Sequence, residues 1–256
     1  MPTKTGAGGE QQEYDESTGR YGGGHTQGEL SGKGTEFRQN TGYSDLLKDT
    51  APATDAELQA YKTPKEKIIR RPEDAEKWAR YDDDYRRYKA AEPNITKDVD
   101  EISAQTGLPL IGRDWRVKGE KSYERKVNDK RINGPYKPLG DVLRYTFEHK
   151  VQNAPEDIKK TLDKFKEKGY NIVAVDNKWK DSGAYNGINC DLVSLDGIPI
   201  EVQFHTRNNH DTKEAMHRYY EIARDSRTPA NIRMAAQMAM NKMKDYWEVP
   251  DRITEV

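Results

Sequence analysis

Hydrophobic and polar residues alternate between positions 188 and 206, and this pattern predicts a β-hairpin. The two runs, 188 to 195 and 198 to 206, are joined by Asp196-Gly197, a dipeptide favoured where both central turn residues adopt positive φ. Side chains alternate along a strand, so the second run has an apolar and a polar face. The apolar face carries Ile198, Ile200, Val202 and Phe204, and the polar face carries Glu201, Gln203 and His205.

The segments before the hairpin predict a β-α-β unit. Residues 142 to 150 and 170 to 179 are typical of strands, and between them Ile158, Leu162 and Phe165 form the apolar stripe of a helix that ends at Gly169. With the hairpin, the order becomes β-α-β-β-β. This order predicts an α+β fold with a mixed sheet and flanking helices. Two more helices are predicted downstream, over 210 to 224 and from Pro229 to about 247.

A helical region is predicted ahead of the sheet, and its role does not follow from its sequence. Residues 54 to 57 match a capping box and open a short helix. A second helix is predicted from Pro72, and a third ends at Gly107. Aromatic side chains at helical spacing mark the second helix, and aliphatic side chains mark the third: Trp78, Tyr81, Tyr85 and Tyr88, then Ile95, Val99 and Ile102.

The first 50 residues are rich in glycine and poor in aliphatic side chains. Half of the chain's 20 glycines lie within the first 34 positions. Such a segment cannot bury enough apolar surface to offset the entropy lost on ordering, so we expect a disordered tail. The predicted organisation is therefore a tail over 1 to 50, a helical lead-in over 51 to 110 and one domain over 111 to 250.

The overall charge and hydropathy exclude several classes of partner. The net charge is -1, from 43 basic and 44 acidic residues, so no global field favours nucleic acid or a membrane surface. Mean hydropathy is -1.11, and no apolar run approaches the roughly 20 residues of a membrane span. The single cysteine, Cys190, excludes an intramolecular disulfide and is expected in the core. We expect a cytoplasmic protein, or one delivered into the cytoplasm of a target cell, with no membrane partner.

The charge is locally basic between residues 113 and 137. This segment contains nine Lys or Arg residues and four acidic residues, and residues 120 to 128 are typical of a short helix. Lys121, Ser122 and Arg125 share one face of that helix, with Lys118 just ahead of it. These groups could converge on one polyanion such as a triphosphate. An ordinary solvated face is the alternative interpretation.

The polar face of the predicted hairpin is a second candidate site. A rigid strand presents Glu201 between the polar side chains of Gln203 and His205. A carboxylate in such a position suits metal-assisted phosphoryl transfer, which depends on placed carboxylates and cations. A strand face that simply contacts solvent is again the alternative.

Three segments resemble, in order, the synthetase domain of RelA/SpoT-type alarmone synthetases and their toxin relatives. Residues 116 to 126 (RVKGEKSYERK) resemble the basic segment of that family, and residues 141 to 146 resemble its metal-binding first strand. Residues 185 to 206 resemble its Gly-containing loop followed by the Glu-x-Gln-x-His/Arg-Thr strand. The likeness covers about residues 110 to 225 and implies a sheet of the nucleotidyltransferase type.

The resemblance implies a Mg²⁺-dependent pyrophosphokinase. Such an enzyme transfers the β,γ-diphosphate of ATP to the 3′-hydroxyl of an acceptor purine nucleotide and makes (p)ppGpp or its adenosine counterpart. In toxin relatives the implied partner is a neutralising antitoxin or immunity protein. The resemblance implies that the donor ATP is contacted by Arg116, Lys118, Lys121, Ser122, Arg125 and Arg144. The metal is assigned to Asp141 and Glu201, and the alternative catalytic role of Glu201 is to take the proton from the attacking 3′-hydroxyl. The acceptor is assigned to Lys178, Lys180 and Tyr185, and orienting roles to Gln203 and His205.

Two departures from the family pattern concern the acceptor and the assignment of Asp141. Gly187 is followed by Ile188 where the family places an aromatic residue, so Tyr185 is the nearest ring for stacking on a base. The interval from Asp141 to Arg144 is also shorter than usual. Alternatives are the same chemistry on the 3′ end of tRNA and an interaction module without activity. The enzyme hypothesis requires Asp141 and Glu201 to approach each other across the sheet, and it requires at least one of them to face the side chains of Lys118 and Lys121.

Overall fold

The computed structural model describes residues 51–64, 68–180 and 185–256, and the backbone of three short strands within the first 22 positions. The chain divides into two compact units. The first comprises Met1–Lys65, Lys178–Asn186 and Thr206–Thr254, and the second comprises Glu66–Asn177, Gly187–His205 and Glu255–Val256. Within the described residues, no helix is both long enough and apolar enough to cross a membrane.

In the part of the chain that the structure describes, eight strands form two sheets. They are β1 (Thr3–Thr5), β2 (Gln11–Asp15), β3 (Arg20–Gly22), β4 (Leu110–Ile111), β5 (Arg144–Glu148), β6 (Asn171–Asn177), β7 (Ile188–Val193) and β8 (Pro199–His205). The second unit contains a five-stranded sheet in the order β4-β5-β8-β7-β6. Strands β5 and β8 are parallel and the other neighbours antiparallel, so this sheet is mixed.

Six α-helices accompany these strands in the described residues. They are α1 (Asp55–Ala60), α2 (Ala75–Thr106), α3 (Glu120–Lys130), α4 (Ala154–Glu167), α5 (Arg207–Arg224) and α6 (Ala230–Met243). The order β5-α4-β6-β7-β8 is the β-α-β-β-β core expected from the sequence. The predicted α+β fold class is therefore confirmed.

The hairpin β7–β8 forms where the alternating pattern predicts it, but its turn differs from the expectation. Ser194 N–H donates to the carbonyl of Ile198, which closes a three-residue loop, and within it only Gly197 adopts positive φ, at 72°. A three-residue loop needs the left-handed conformation at one position, which glycine adopts without steric cost. The expectation of two positive-φ turn residues was wrong.

One face of the five-stranded sheet forms the core of the second unit. Phe147, Ile200 and Phe204 are fully buried on this face, and the ring of Phe165 from α4 meets Phe147 edge-on at 6.0 Å. Cys190 is also buried there, and burial raises the pKa of its thiol to about 12. This high pKa disfavours the nucleophilic thiolate, so the expected packing role is supported.

The two helices expected between Pro72 and Gly107 are one helix, α2, of 32 residues. The expectation of a break was wrong because the buried stripe is continuous from Trp78 to Ile102 and passes Pro93 without interruption. Packing of such a stripe outweighs the cost of one proline in a helix interior. Gly107 ends the helix with φ 78°, as expected.

The first unit is helical around its own apolar core. Leu58 of α1, Met216 of α5 and Ala236 of α6 are buried together with Trp247. The capping box at the start of α1 is present, with Thr54 and Glu57 exchanging side-chain to backbone hydrogen bonds. Strands β1, β2 and β3 form a small antiparallel sheet that the composition of the tail did not predict. The rest of the predicted tail up to position 50 lies outside the described residues.

Candidate active site

A row of polar residues crosses three neighbouring strands of the second unit. Arg144 on β5 pairs in register with Glu201 on β8, and Glu201 pairs with Asp191 on β7. Directly paired residues project from the same face of a sheet, so these three side chains are neighbours on the face opposite the apolar core. The strand register alone therefore brings two residues of the predicted site together.

Arg144 contacts both predicted metal-binding carboxylates. Its Nε donates to Oε1 of Glu201 at 2.6 Å, and its Nη2 lies 3.2 Å from Oδ2 of Asp141. Asp141 and Glu201 are 60 positions apart in sequence and share one guanidinium. The approach that the enzyme hypothesis requires is present.

Asp141 is buried and surrounded by cations. Its Oδ2 lies 3.2 Å from Nζ of Lys118 and 2.8 Å from Nζ of Lys126. Burial alone would raise the pKa of Asp141, but the charges of Lys118 and Lys126 outweigh it and lower the pKa to about 2. Its other oxygen, Oδ1, is buried without a hydrogen-bond partner among the described residues. Such an unpaired buried oxygen is costly unless a ligand contacts it.

The start of the basic segment lies beside β5 as a short extension of the sheet. Lys118 N–H donates to the carbonyl of Val142, and Arg144 N–H donates to the carbonyl of Arg116. An isolated bridge pairs Val117 with Leu143. This pairing fixes the backbone that carries Arg116 and Lys118. Burial lowers the pKa of the Lys118 ammonium, Arg144 lowers it further, and Asp141 opposes both.

Two side chains of the long helix α2 hydrogen-bond to the segment that carries Arg116 and Lys118. The hydroxyl of Tyr85 donates to the carbonyl of Lys118 at 2.8 Å, and Glu92 Oε1 accepts from Nε of Arg116 at 2.6 Å. Burial raises the pKa of Glu92, but hydrogen bonds from Thr96 and Arg116 outweigh it and lower the pKa. The helical lead-in is thus a support for the basic segment, a role its sequence did not reveal.

Helix α3 places the remaining predicted phosphate ligands. Lys121 and Ser122 are exposed and make no side-chain hydrogen bond or ion pair within the described residues, and Arg125 is half-buried on the same helix. The residue of α3 that reaches Asp141 is Lys126, which was missing from the predicted site. Lys118, Ser122 and Lys126 are spaced by four, a helical repeat that could have identified it.

Asp191 is the second residue that sequence reasoning missed. It is exposed and lies opposite Glu201, and its carboxylate has no hydrogen-bond or ion-pair partner within the described part of the chain. Desolvation raises its pKa, and the nearby charges of Glu201 and Asp141 raise it further. The alternation of β7 alone carried a signal, because Asp191 falls between the apolar positions Cys190 and Leu192.

Gln203 and His205 follow Glu201 along β8 and are both buried. Gln203 Nε2 donates to Oε1 of Glu201 at 2.7 Å, the same oxygen that Arg144 contacts. The carbonyl of His205 accepts from the backbone N–H of His149. Gln203 therefore fits the orienting role expected of it, and the solvated-face alternative does not apply to these two residues.

The predicted acceptor ligands belong to the first unit. Lys178 and Lys180 lie in a short 3₁₀ helix, Lys178–Lys180. Tyr185 packs edge-on against Trp247, with ring centroids 6.4 Å apart. Their roles toward an acceptor nucleotide stay predictions.

The donor atoms of this site are of the type that a magnesium ion prefers. Among the described residues, no group of three or more His, Cys, Asp or Glu side chains is arranged to hold a metal ion by itself. Protein sites for Mg²⁺ commonly supply only one or two carboxylates, and substrate phosphates complete the coordination. Asp141 and Glu201 supply two carboxylates, and the unpaired Oδ1 of Asp141 is an oxygen of the right chemical type.

No protein-family model matches the chain, and no curated protein sequence matches it. Solved structures similar to it include a type VI effector, Tas1, in complex with its immunity protein, at 18% identity over 69% of this chain and 97% of that one, with TM-score 0.42. Small alarmone synthetase 2 from Bacillus subtilis has 16% identity over 64% and 95%, with TM-score 0.44. Small alarmone synthetase 1 from the same organism, bound to its product pppGpp, has 16% identity over 66% and 94%, with TM-score 0.41.

Proposed function

We propose that the chain is an ATP-dependent pyrophosphokinase that transfers the β,γ-diphosphate of ATP to the 3′-hydroxyl of a purine nucleotide. The observation that carries this proposal is the contact of one guanidinium, that of Arg144, with both Asp141 and Glu201. The ammonium groups of Lys118 and Lys126 lie on the same carboxylate, Asp141. Two carboxylates within a ring of cations are what diphosphate transfer requires, because its catalysis is mainly positioning and charge stabilisation.

The cations would bind the donor ATP. Arg116, Lys118 and Lys126 each contact a carboxylate in the structure, so a triphosphate would exchange one anionic partner for another. Lys121, Ser122 and Arg125 on α3 would add contacts to the same phosphates. The backbone pairing with β5 and the contacts with α2 hold the segment in place before ATP binds, which lowers the entropy lost on binding.

Asp141 and Glu201 would hold the Mg²⁺ that accompanies ATP. The ion, when bound, would neutralise charge that develops on the diphosphate. Gln203 and Arg144 fix the carboxylate of Glu201 through one oxygen. Oε2 remains available to face the attacking hydroxyl or the metal.

The reaction would proceed by attack of the acceptor 3′-oxygen on the β-phosphorus of ATP. The bond between the β-phosphorus and the bridging α-β oxygen breaks, AMP leaves with that oxygen, and the 3′-hydroxyl loses its proton. Glu201 can accept that proton only within hydrogen-bond reach of the hydroxyl. Lys178 and Lys180 are proposed ligands of the acceptor phosphates, Tyr185 of its base, and His205 an orienting group for β8.

The direct test is an acceptor screen with ATP labelled in the γ-phosphate. The purified protein is incubated with Mg²⁺ and, separately, with GDP, GTP, ADP, AMP or bulk tRNA. We expect labelled diphosphate on one purine nucleotide and unlabelled AMP as co-product. Glu201→Gln should abolish transfer, whereas Glu76→Gln, which changes an exposed carboxylate of α2, should not. No transfer to any acceptor would favour the interaction-module alternative.

The same screen separates the remaining alternatives. Transfer to tRNA would show that the acceptor hydroxyl is the 3′ end of an RNA. Binding of tRNA should then weaken steeply as the salt concentration rises, because the protein would contact many phosphates. A mononucleotide acceptor should show a shallower salt dependence. Expression of the wild-type chain, but not of Glu201→Gln, should arrest growth if the product makes it a toxin, and such a toxin would have a neutralising immunity protein or antitoxin as partner.

A further inference from the structure

The carboxylate of Asp191 lies beside that of Glu201 on the open face of the sheet. The two residues are direct partners in the antiparallel pair β7–β8. Directly opposite residues of such a pair have Cβ atoms about 4.5–5.5 Å apart. An ideal Cβ built on Gly140 would lie 3.8 Å from Oδ1 of Asp191, so this carboxylate also reaches the turn that carries Asp141. Asp191 therefore borders the proposed reaction centre.

The two carboxylates differ in their partners. Glu201 accepts hydrogen bonds from Arg144 and Gln203, whereas Asp191 accepts none within the described residues. The next residue across the sheet, on β6, is Ala174, whose methyl group cannot donate. The carboxylate of Asp191 is therefore a hydrogen-bond acceptor without a donor among the described residues. It lies on the strand next to the one that carries Glu201.

We propose that Asp191 accepts a hydrogen bond from the 2′-hydroxyl of the acceptor ribose while Glu201 faces the 3′-hydroxyl. This inference rests on the proposed function and adds the sugar requirement of its acceptor. The 2′ and 3′ hydroxyls sit on adjacent carbon atoms and point to the same side of the ribose ring. Two carboxylates on adjacent strands, projecting from the same face, match this pair of donors.

The contact makes Asp191 a specificity-determining residue. An acceptor without the 2′-hydroxyl would leave the carboxylate without its donor, and a site that hydrogen-bonds a hydroxyl rejects an analogue that lacks it. The acceptor class is therefore a ribonucleotide, and 2′-deoxyribonucleotides are excluded.

The test compares ribose and 2′-deoxyribose acceptors in the full-length protein. Equilibrium binding of GDP, 2′-deoxy-GDP, ADP and 2′-deoxy-ADP is measured by calorimetry, and diphosphate transfer from ATP is measured with the same four compounds. The variants are Asp191→Ala and the matched control Asp196→Ala in the turn of the same hairpin. We expect the wild type to favour the ribose form about 10- to 100-fold, the range for one hydrogen bond to a charged group.

Asp191→Ala should remove this preference by weakening the ribose form to the level of the 2′-deoxy form, without further loss for the 2′-deoxy form. Asp196→Ala should keep the preference. The inference is overturned if the wild type binds none of the four compounds or binds both sugars equally. It is also overturned if Asp191→Ala weakens both sugars by the same factor, because a metal contact or a loss of folding would act on both.

Failure of the inference and failure of the proposed function give different results. Transfer that shows no preference for the 2′-hydroxyl overturns the contact and leaves the pyrophosphokinase standing. A sugar preference in binding that depends on Asp191, with no transfer from ATP, supports the contact and overturns the proposed reaction.

Discussion

Arg144 donates to Glu201 over 2.6 Å, and the two residues are also register partners on the parallel strands β5 and β8. The contact is therefore fixed by the backbone of the sheet as well as by the side chains. Asp141 lies three residues before Arg144 and meets the same guanidinium. One guanidinium thus contacts both carboxylates, and the strand register holds it beside Glu201.

Arg144→Lys should slow diphosphate transfer strongly while the fold is retained. Lysine keeps the positive charge but lacks the planar fork that contacts two carboxylates at once. Loss of a placed electrostatic group in an active site commonly costs about 10²–10³ in kcat, and we expect a loss of that size. Transfer from labelled ATP and the thermal unfolding midpoint are the two measurements.

The matched control is Arg113→Lys, which changes an exposed arginine paired with Asp100. This variant should transfer diphosphate at the wild-type rate. Full activity of Arg144→Lys would show that charge alone is sufficient at this position and would remove the bridging role.

Lys126→Gln should raise the KM for ATP by about tenfold, the effect of losing one charge-assisted hydrogen bond to phosphate. Lys126 Nζ lies 2.8 Å from Asp141, so it is positioned beside the proposed donor site. Lys130→Gln, at an exposed position of the same helix, is the control and should leave KM unchanged. Equal KM values for both variants would place ATP away from this face of α3.

Most of the fold could be predicted from the sequence because its signals are local. The alternation of β8 correctly separated the core residue Phe204 from the polar Glu201, and the pattern of residues 142 to 179 gave the order of β5, α4 and β6 along the chain. The two helices expected before Gly107 form one helix, because a continuous buried stripe packs along its whole length. The expectation that a proline ends a helix does not take such packing into account.

The site was less predictable where it depends on contacts between distant segments. Asp191 lies opposite Glu201 because of the register of β7 against β8, and that register is a property of the folded sheet. The support that α2 gives to Lys118 comes from Tyr85, 33 positions earlier, and no local pattern connects the two. Asp141 and Glu201 could be named as candidates from the sequence because each belongs to a motif, and the motifs keep their order along the chain.

Tyr85→Phe should weaken both the fold and ATP binding slightly. The change removes only the hydroxyl that donates to the carbonyl of Lys118, and a net hydrogen bond contributes about 1 kcal/mol to the free energy of unfolding. Chemical denaturation and the KM for ATP are measured together. Tyr220→Phe, at a residue that is 45% exposed, is the control and should change neither quantity. A stability loss without any change in KM would show that α2 supports the fold alone.

Asp141→Asn should change how stability depends on pH. The folded-state pKa of Asp141 is about 2, below its ordinary value of 3.8, so its ionised form stabilises the folded protein. A depressed pKa contributes stability that is fully present above pH 3.8 and is lost as pH falls through about 2. The size of that contribution is about 2 kcal/mol, from the two pKa values. The variant should therefore be less stable than the wild type near pH 7.

The measurement is the free energy of unfolding by urea at a series of pH values, with EDTA present so that no divalent ion contributes. The gap between the wild type and Asp141→Asn should stay constant above pH 5 and shrink between about pH 4 and pH 2, because over that range the carboxylate of Asp141 is protonated in the unfolded wild type but still ionised in the folded one. Asp114→Asn removes an exposed carboxylate of the same segment and tests whether any such change has this effect. A gap that does not narrow in acid would mean that Lys118 and Lys126 do not hold Asp141 in its ionised form.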